Sequence, residues 1–292
     1  MLWFRKQPDS ADPAAVAEAD AIVPAVLSVA LDSGQFQQRF SQLGRHAEEG
    51  IDLEALLASL QAKSQLFSSL LNAQALPSLS MDGIEALLET VFSARRRVFP
   101  ALQALGVEVT RKAIQELLYG NMSLNERLQK FSEIVPVDEA ADKETRKQAA
   151  KNSRAAFDFG AEMLHFNNPA KYPLMTRWVW DQNTVSGALR EFIRGNDSLP
   201  DVPLGNSPEM FEGARAWLAQ QIAAQGLYKD VPFWIDLVLA QAYTEYFGSM
   251  AAGMLSADFG RGTTPQEQLK KFLGIDEERK AGQSRVKRDM AQ

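Results

Sequence analysis

The chain has 292 residues, 46% hydrophobic and 23% charged, with a formal net charge of −6. That acidic balance argues against nucleic acid as a partner, because phosphate binding needs an electropositive face. The absence of cysteine excludes disulfides, thiolate zinc sites, iron–sulfur ligation and cysteine nucleophiles, and fits a cytoplasmic protein.

The elements read as helices from end to end. Met1 to Lys6 sets an apolar run before its positive charges, the reverse of a secretory signal, so none is expected. Asp12-Pro13 pairs an N-cap with proline at the first helical position. Asp52 opens an amphipathic run through Leu53, Leu56, Leu57, Leu60, Phe67, Leu70 and Leu71, mostly at steps of three and four. Asp82 can cap a predicted helix, Ile84 to Phe99, which Pro100 interrupts or kinks and which carries Arg95, Arg96 and Arg97 as a basic patch. Gly106 is a stop, and Thr110 starts a helix that Gly120 closes. Ser123 with Glu126, and Thr264 with Glu267, have capping-box spacing, and Gly274 ends the second of these helices. Val107 to Val109 is too short to count as a strand. Leu237 to Ala257 carries one charge, Glu245. It lacks close basic flanks and reads as a buried core helix rather than a membrane span, with Gly248, Ala252 and Gly253 admitting a close neighbour.

The fold class is therefore all-α: a multi-helix globular bundle of one or two helical subdomains. Ile134-Val-Pro-Val137 breaks the chain. A charged helix follows, with Glu139 and Lys143, then Asp142 and Arg146, four residues apart, and it turns apolar at Ala155. Four of the five tryptophans and four of the five tyrosines fall between residues 157 and 259. The expected division is 1–135 as an N-terminal helical part, 136–262 as an aromatic-cored part, and 263–292 as a short capped helix with a charged tail. Gly195 to Pro208 reads as a long loop, of the kind that serves as a lid or connector.

Chemistry concentrates in Phe157 to Asp181. Asp158, Glu162 and His165 fall on one helical face, and Glu162 with His165 has the Glu-x-x-His spacing of di-iron bundles. A second such motif is missing. The only other histidine, His46, has Leu43 at the required offset, so the two-metal reading fails on count. A mononuclear site of His165 with carboxylates is the minor alternative, and no metal or other cofactor is the expectation. Asn168-Pro169 and Tyr172-Pro173 force extended backbone before each proline. They aim the chain at Trp178 and Trp180, with Thr176 able to cap a helix from Arg177 to Asp181. Arg177 can stack on a ring or fork onto Asp158 or Glu162. The candidate ligand-binding residues are Asp158, Glu162, His165, Tyr172, Arg177, Trp178 and Trp180; no catalytic residue is assigned. Their alternative use is structural, with His165 bonded to a carboxylate or carbonyl and pinning the corner. Phe259-Gly-Arg-Gly262 follows a helix and reads as a hinge or turn. There is no Gly-x-Ser-x-Gly elbow, P-loop or dinucleotide fingerprint.

The pattern Leu164-His165-Phe166-x-Asn168-Pro169-x-x-Tyr172-Pro173 resembles a segment of helical proteins distantly related to helix-hairpin-helix DNA glycosylases. That resemblance implies a nucleic-acid-binding helical protein. The glycine-rich hairpin such proteins place just upstream is missing, and no catalytic lysine can be placed. Three functional expectations follow. The first is a non-catalytic helical interaction or adaptor protein with an aromatic-lined groove and a protein partner, its arms being Met1–Lys6 and Thr264–Gln292. The second is an enzyme or small-ligand binder using the His/carboxylate/Arg cluster under a Gly195–Pro208 lid. The third is the nucleic-acid binder.

Overall fold

A computed structural model of the chain describes residues 21–48, 52–135, 142–195, 202–253, 264–276 and 286. Among them the fold is all-α, with ten α-helices, two short 3₁₀ turns and no strand. The expected helix start at Asp12-Pro13, the Met1–Lys6 arm, the Phe259–Gly262 turn and all of the tail beyond Asp276 except Val286 lie outside the described residues. So does the centre of the Gly195–Pro208 loop.

Helices α1 (Ser33–Glu48) and α2 (Leu53–Leu71) are followed by a 3₁₀ turn at Leu76–Ser78. Asp52 caps α2 as its spacing predicts, accepting a hydrogen bond from the Ala55 amide. His46 lies on α1; its side chain falls outside the described residues. Helix α3 (Met81–Glu89) departs from expectation at both ends. Ser80, not Asp82, is the cap and accepts from Gly83 N, and the helix stops at Glu89. Residues 91–98 form turns, so Pro100 begins α4 (Phe99–Leu105) rather than kinking a long helix. Proline suits a first helical turn, where its missing amide is not needed. The three arginines thus sit in a turn and do not form one patch: Arg95 is buried, while Arg96 and Arg97 are exposed.

Helix α5 (Val107–Tyr119) starts three residues before Thr110, whose hydroxyl bonds back to the Gly106 carbonyl. The capping box at Ser123 and Glu126 opens α6 (Leu124–Ser132). The long α7 (Lys143–Asn167) is capped by Asp142 and becomes buried from Ala155 onward. Gly160 is where α6 presses on α7: a Cβ there would lie 2.9 Å from the Phe131 ring. The segment 168–207 holds a 3₁₀ turn at Ala188–Phe192 but no helix at 177–181, a correction to the sequence reading. Thr176 does not cap. Its backbone carbonyl closes turns to Val179 and Trp180, and its side chain is fully buried.

Helix α8 (Pro208–Ala224) is capped by Ser207. Helix α9 (Val231–Gly253) is a core helix in contact with α1, α2, α8 and the last helix, α10 (Pro265–Leu273). No helix among the described residues is long and apolar enough to cross a membrane. Gly248 is exposed, and among the described residues nothing lies within 4 Å of a Cβ built there. Helix α7 packs on α2, α5 and α6, so α2 lies between the two long helices and touches both. Buried apolar side chains from Phe36 to Leu273 form one connected cluster.

Candidate functional site

On the buried half of α7 the sequence puts Asp158, Glu162 and His165 at steps of four and three. All three side chains point inward, at 1%, 2% and 1% exposure. Burying three such groups costs several kcal/mol each unless each finds a partner. Each does, and the partners come from three other parts of the chain.

Asp158 takes Arg177. The arginine's backbone amide donates to Oδ1 at 3.0 Å, Nε to Oδ2 at 3.1 Å and Nη2 to Oδ2 at 2.6 Å. The sequence offered Arg177 either carboxylate, and it goes to Asp158. Burial pushes the Asp158 carboxyl up; the Arg177 charge opposes this without cancelling it. Glu162 takes Lys63 of α2 at 2.7 Å. Lys63 spends its other two hydrogens on the carbonyls of Thr90 and Leu273, both at 2.8 Å. Those carbonyls lie at the C-terminal ends of α3 and α10, where partial negative charge gathers. The ammonium also sits 4.0 Å from the centre of the Phe166 ring. Burial drives this pair toward neutrality from both sides, lowering Lys63 and raising Glu162, against their mutual attraction.

His165 uses both ring nitrogens. Nδ1 lies 2.8 Å from the Tyr172 carbonyl and Nε2 lies 2.9 Å from Asp236 Oδ2 of α9. A carbonyl only accepts, so Nδ1 carries a hydrogen, and a further proton is shared between Nε2 and Asp236. The two X-Pro steps create this geometry. The helix ends at Asn167, Asn168 N returns to the Leu164 and His165 carbonyls, and the chain doubles back until the Tyr172 carbonyl faces the ring.

Of the aromatic candidates, Tyr172 meets this stripe through its backbone carbonyl. Trp180 is buried, its indole nitrogen donating to the Leu204 carbonyl at 3.3 Å. Tyr172 is buried as well. Trp178 belongs to a cluster that receives Phe272 of α10. The Phe272 ring lies 4.8 Å from Tyr243, 5.6 Å from Phe92, 6.1 Å from Phe247 and 6.5 Å from Trp178, centre to centre. Tyr246 stacks on Tyr243 at 5.9 Å. The α10 end is then locked. Gly274 adopts φ 69°, and a Cβ there would lie 1.6 Å from the Thr90 carbonyl. Beyond it, Arg95 meets Asp276 at 3.3 Å.

The structure therefore brings Asp158, Glu162 and His165 into one buried polar seam, edged by the partly exposed Arg177, and puts Trp178 into an aromatic seat. Only His165 among the candidates lines a described cavity, a space of about 20 Å³ that it shares with Asp236, Arg215 and apolar side chains. A larger cleft of about 280 Å³ lies elsewhere, between α5 and α6, lined by Leu117, Met122, Lys130 and Phe131 among others. Among the described residues no three His, Asp or Glu side chains converge as metal ligands. Sequence reasoning missed Lys63 and Asp236. The signal was there: Lys63 interrupts the apolar stripe Leu56, Leu60, Phe67, Leu71, and Asp236 interrupts the run from Val231 to Ala240. A charge on a buried face needs an opposite charge. Compared with known proteins, the chain matches no family model, no curated protein and no solved structure.

Proposed function

We propose that this chain is a non-catalytic helical interaction protein of the cytoplasm, which binds a protein partner through its aromatic face. One observation carries the reading: the polar groups a catalyst would use are spent on one another, whereas the aromatic groups are arranged to grip a helix. Asp158, Glu162 and His165 are each bonded to Arg177, Lys63 or Asp236. By contrast Phe92, Trp178, Tyr243 and Phe247 surround a single aromatic knob, Phe272. Tyr246 and Phe247 remain partly exposed beside it. Partly exposed aromatic side chains are common anchors of protein interfaces.

Cross-linking of the full-length protein in an extract, read by mass spectrometry, tests this. The expected result is one stoichiometric partner whose cross-links fall around α9 and α10 and weaken at least tenfold in Tyr246→Ala. A monomer without a partner that turns over a small molecule would end this reading in favour of an enzyme.

A further inference from the structure

Asp236 presents an acceptor that no described protein group meets. Its side chain is 1% exposed. Oδ2 bonds His165, while Oδ1 has no hydrogen-bond partner. The proton shared with His165 does not change the need. With that proton on Nε2 the carboxylate is anionic and Oδ1 accepts; with it on Oδ2, Oδ1 is a carbonyl-type oxygen and still accepts. Buried acceptors of this kind are satisfied by protein or by bound water in the great majority of folds.

The space beside it is of a definite size. Asp236 and His165 border a cavity of about 20 Å³, lined otherwise by Leu174, Phe211, Leu218, Leu239 and other apolar groups, and by Arg215. A water molecule occupies roughly 10–15 Å³ by this measure, so the space beside Oδ1 admits water. Arg215 supplies the complementary donor. Both Nη1 hydrogens go to the carbonyls of Pro169 and Ala170, and one Nη2 hydrogen and Nε face Glu212. A guanidinium has five hydrogens, so one on Nη2 is left. Arg215 is also partly exposed, at 19% of its side chain, which gives the cavity a route to solvent.

We propose that this cavity is a binding site for a single water molecule, which donates to Asp236 Oδ1 and accepts from Arg215 Nη2. The water then joins the His165–Asp236 pair of α7 and α9 to Arg215 of α8 by hydrogen bonds, adding to the packing of α8 on α9. It is independent of the partner-binding reading above.

A crystal structure of the full-length wild-type protein, grown without ammonium salts at a resolution that shows ordered water, decides the matter. The expected result is one density peak within about 2.6–3.2 Å of both Asp236 Oδ1 and Arg215 Nη2. Overturning results are an empty cavity, Oδ1 turned onto a protein donor, or a peak that forms only in ammonium salts. Oxygen-17 relaxation dispersion adds a solution test. The long-lived water count should fall by one from wild type to Arg215→Met, and an unchanged count in a folded variant would also overturn the proposal.

Discussion

The helices from α3 to α6 and the seam along α7 are built by different rules. In the first region the chain closes its own helix ends locally. Ser80 caps α3, the Ser123–Glu126 box caps α6, and Arg127 donates to the carbonyls of Leu117 and Leu118 at the end of α5. In the second, the partners come from far away: Lys63 and Glu162 are 99 residues apart, His165 and Asp236 are 71, and Lys63 and Leu273 are 210. Local capping adjusts the stability of one helix. The seam ties α2, α3, α7, α9 and α10 into one arrangement, and an error anywhere along it strands a buried charge.

The comparison breaks most sharply at Lys63. Lys63→Met leaves Glu162 buried and unpaired, and should cost about 3–5 kcal/mol in urea unfolding. The double variant Lys63→Met/Glu162→Leu should recover most of that loss, because two apolar groups need no partner. Equal damage in the single and double variants would mean that the lost helix-end contacts, not the stranded charge, set the cost. Phe272→Ala empties the aromatic seat and should cost about 3 kcal/mol, the lower part of the usual range, since neighbouring rings can close in. In hydrogen exchange it should expose α10 and the Thr90 turn while α5 and α6 stay protected. Ser123→Ala should cost about 1 kcal/mol and leave the seam unchanged, which thermal unfolding with tryptophan fluorescence can follow.

The smallest effect is one of sign across pH. Burial raises the Glu162 carboxyl above its ordinary value. Its contribution is therefore fully present below the unfolded carboxylate range, near pH 4, and is lost as pH rises through the raised folded value. Asp142 is the opposite case. Hydrogen bonds from Thr145 lower it, so its contribution is present above that range and is lost as pH falls. The melting-temperature difference between wild type and Glu162→Gln should grow on acidification, and that for Asp142→Asn should shrink. Parallel slopes would erase the distinction between seam and cap.

The same division decides what the sequence disclosed. Asp52, the boxes at Ser123 and Thr264, and Gly274 were legible because a cap is written within four residues of the group it serves. The all-α class was legible for a similar reason, from runs of apolar residues at steps of three and four. The shared face of Asp158, Glu162 and His165 could be read, and so could Arg177 as a partner for one of the two carboxylates, though not which. Lys63 and Asp236 could not be matched to Glu162 and His165, because nothing in their local sequence marks a partner a hundred residues off. Helix α3 was read too long since propensity does not show that Thr90 turns away to meet Lys63 and Gly274. The helix expected at Arg177 to Asp181 failed for a non-local reason: after one turn the Asp181 amide goes to the Ser186 carbonyl, and the carbonyls of Trp178 and Val179 accept from Ala188 and Leu189 instead of from the next helical turn.

Lys63 has a consequence for the order in which the molecule assembles. Its three hydrogen-bond partners lie 27, 99 and 210 residues away. Water can be withdrawn from the ammonium only once all three segments have arrived, the last of them near the far end of the chain. Contacts of such long reach carry a large loop-closure entropy and form late. The expectation is a transition state crossed with Lys63 still wet, so that its substitution changes the rate of unfolding and hardly that of folding. Stopped-flow folding and unfolding rates of Lys63→Met check this, and a folding rate that falls as much as the unfolding rate rises would count against it.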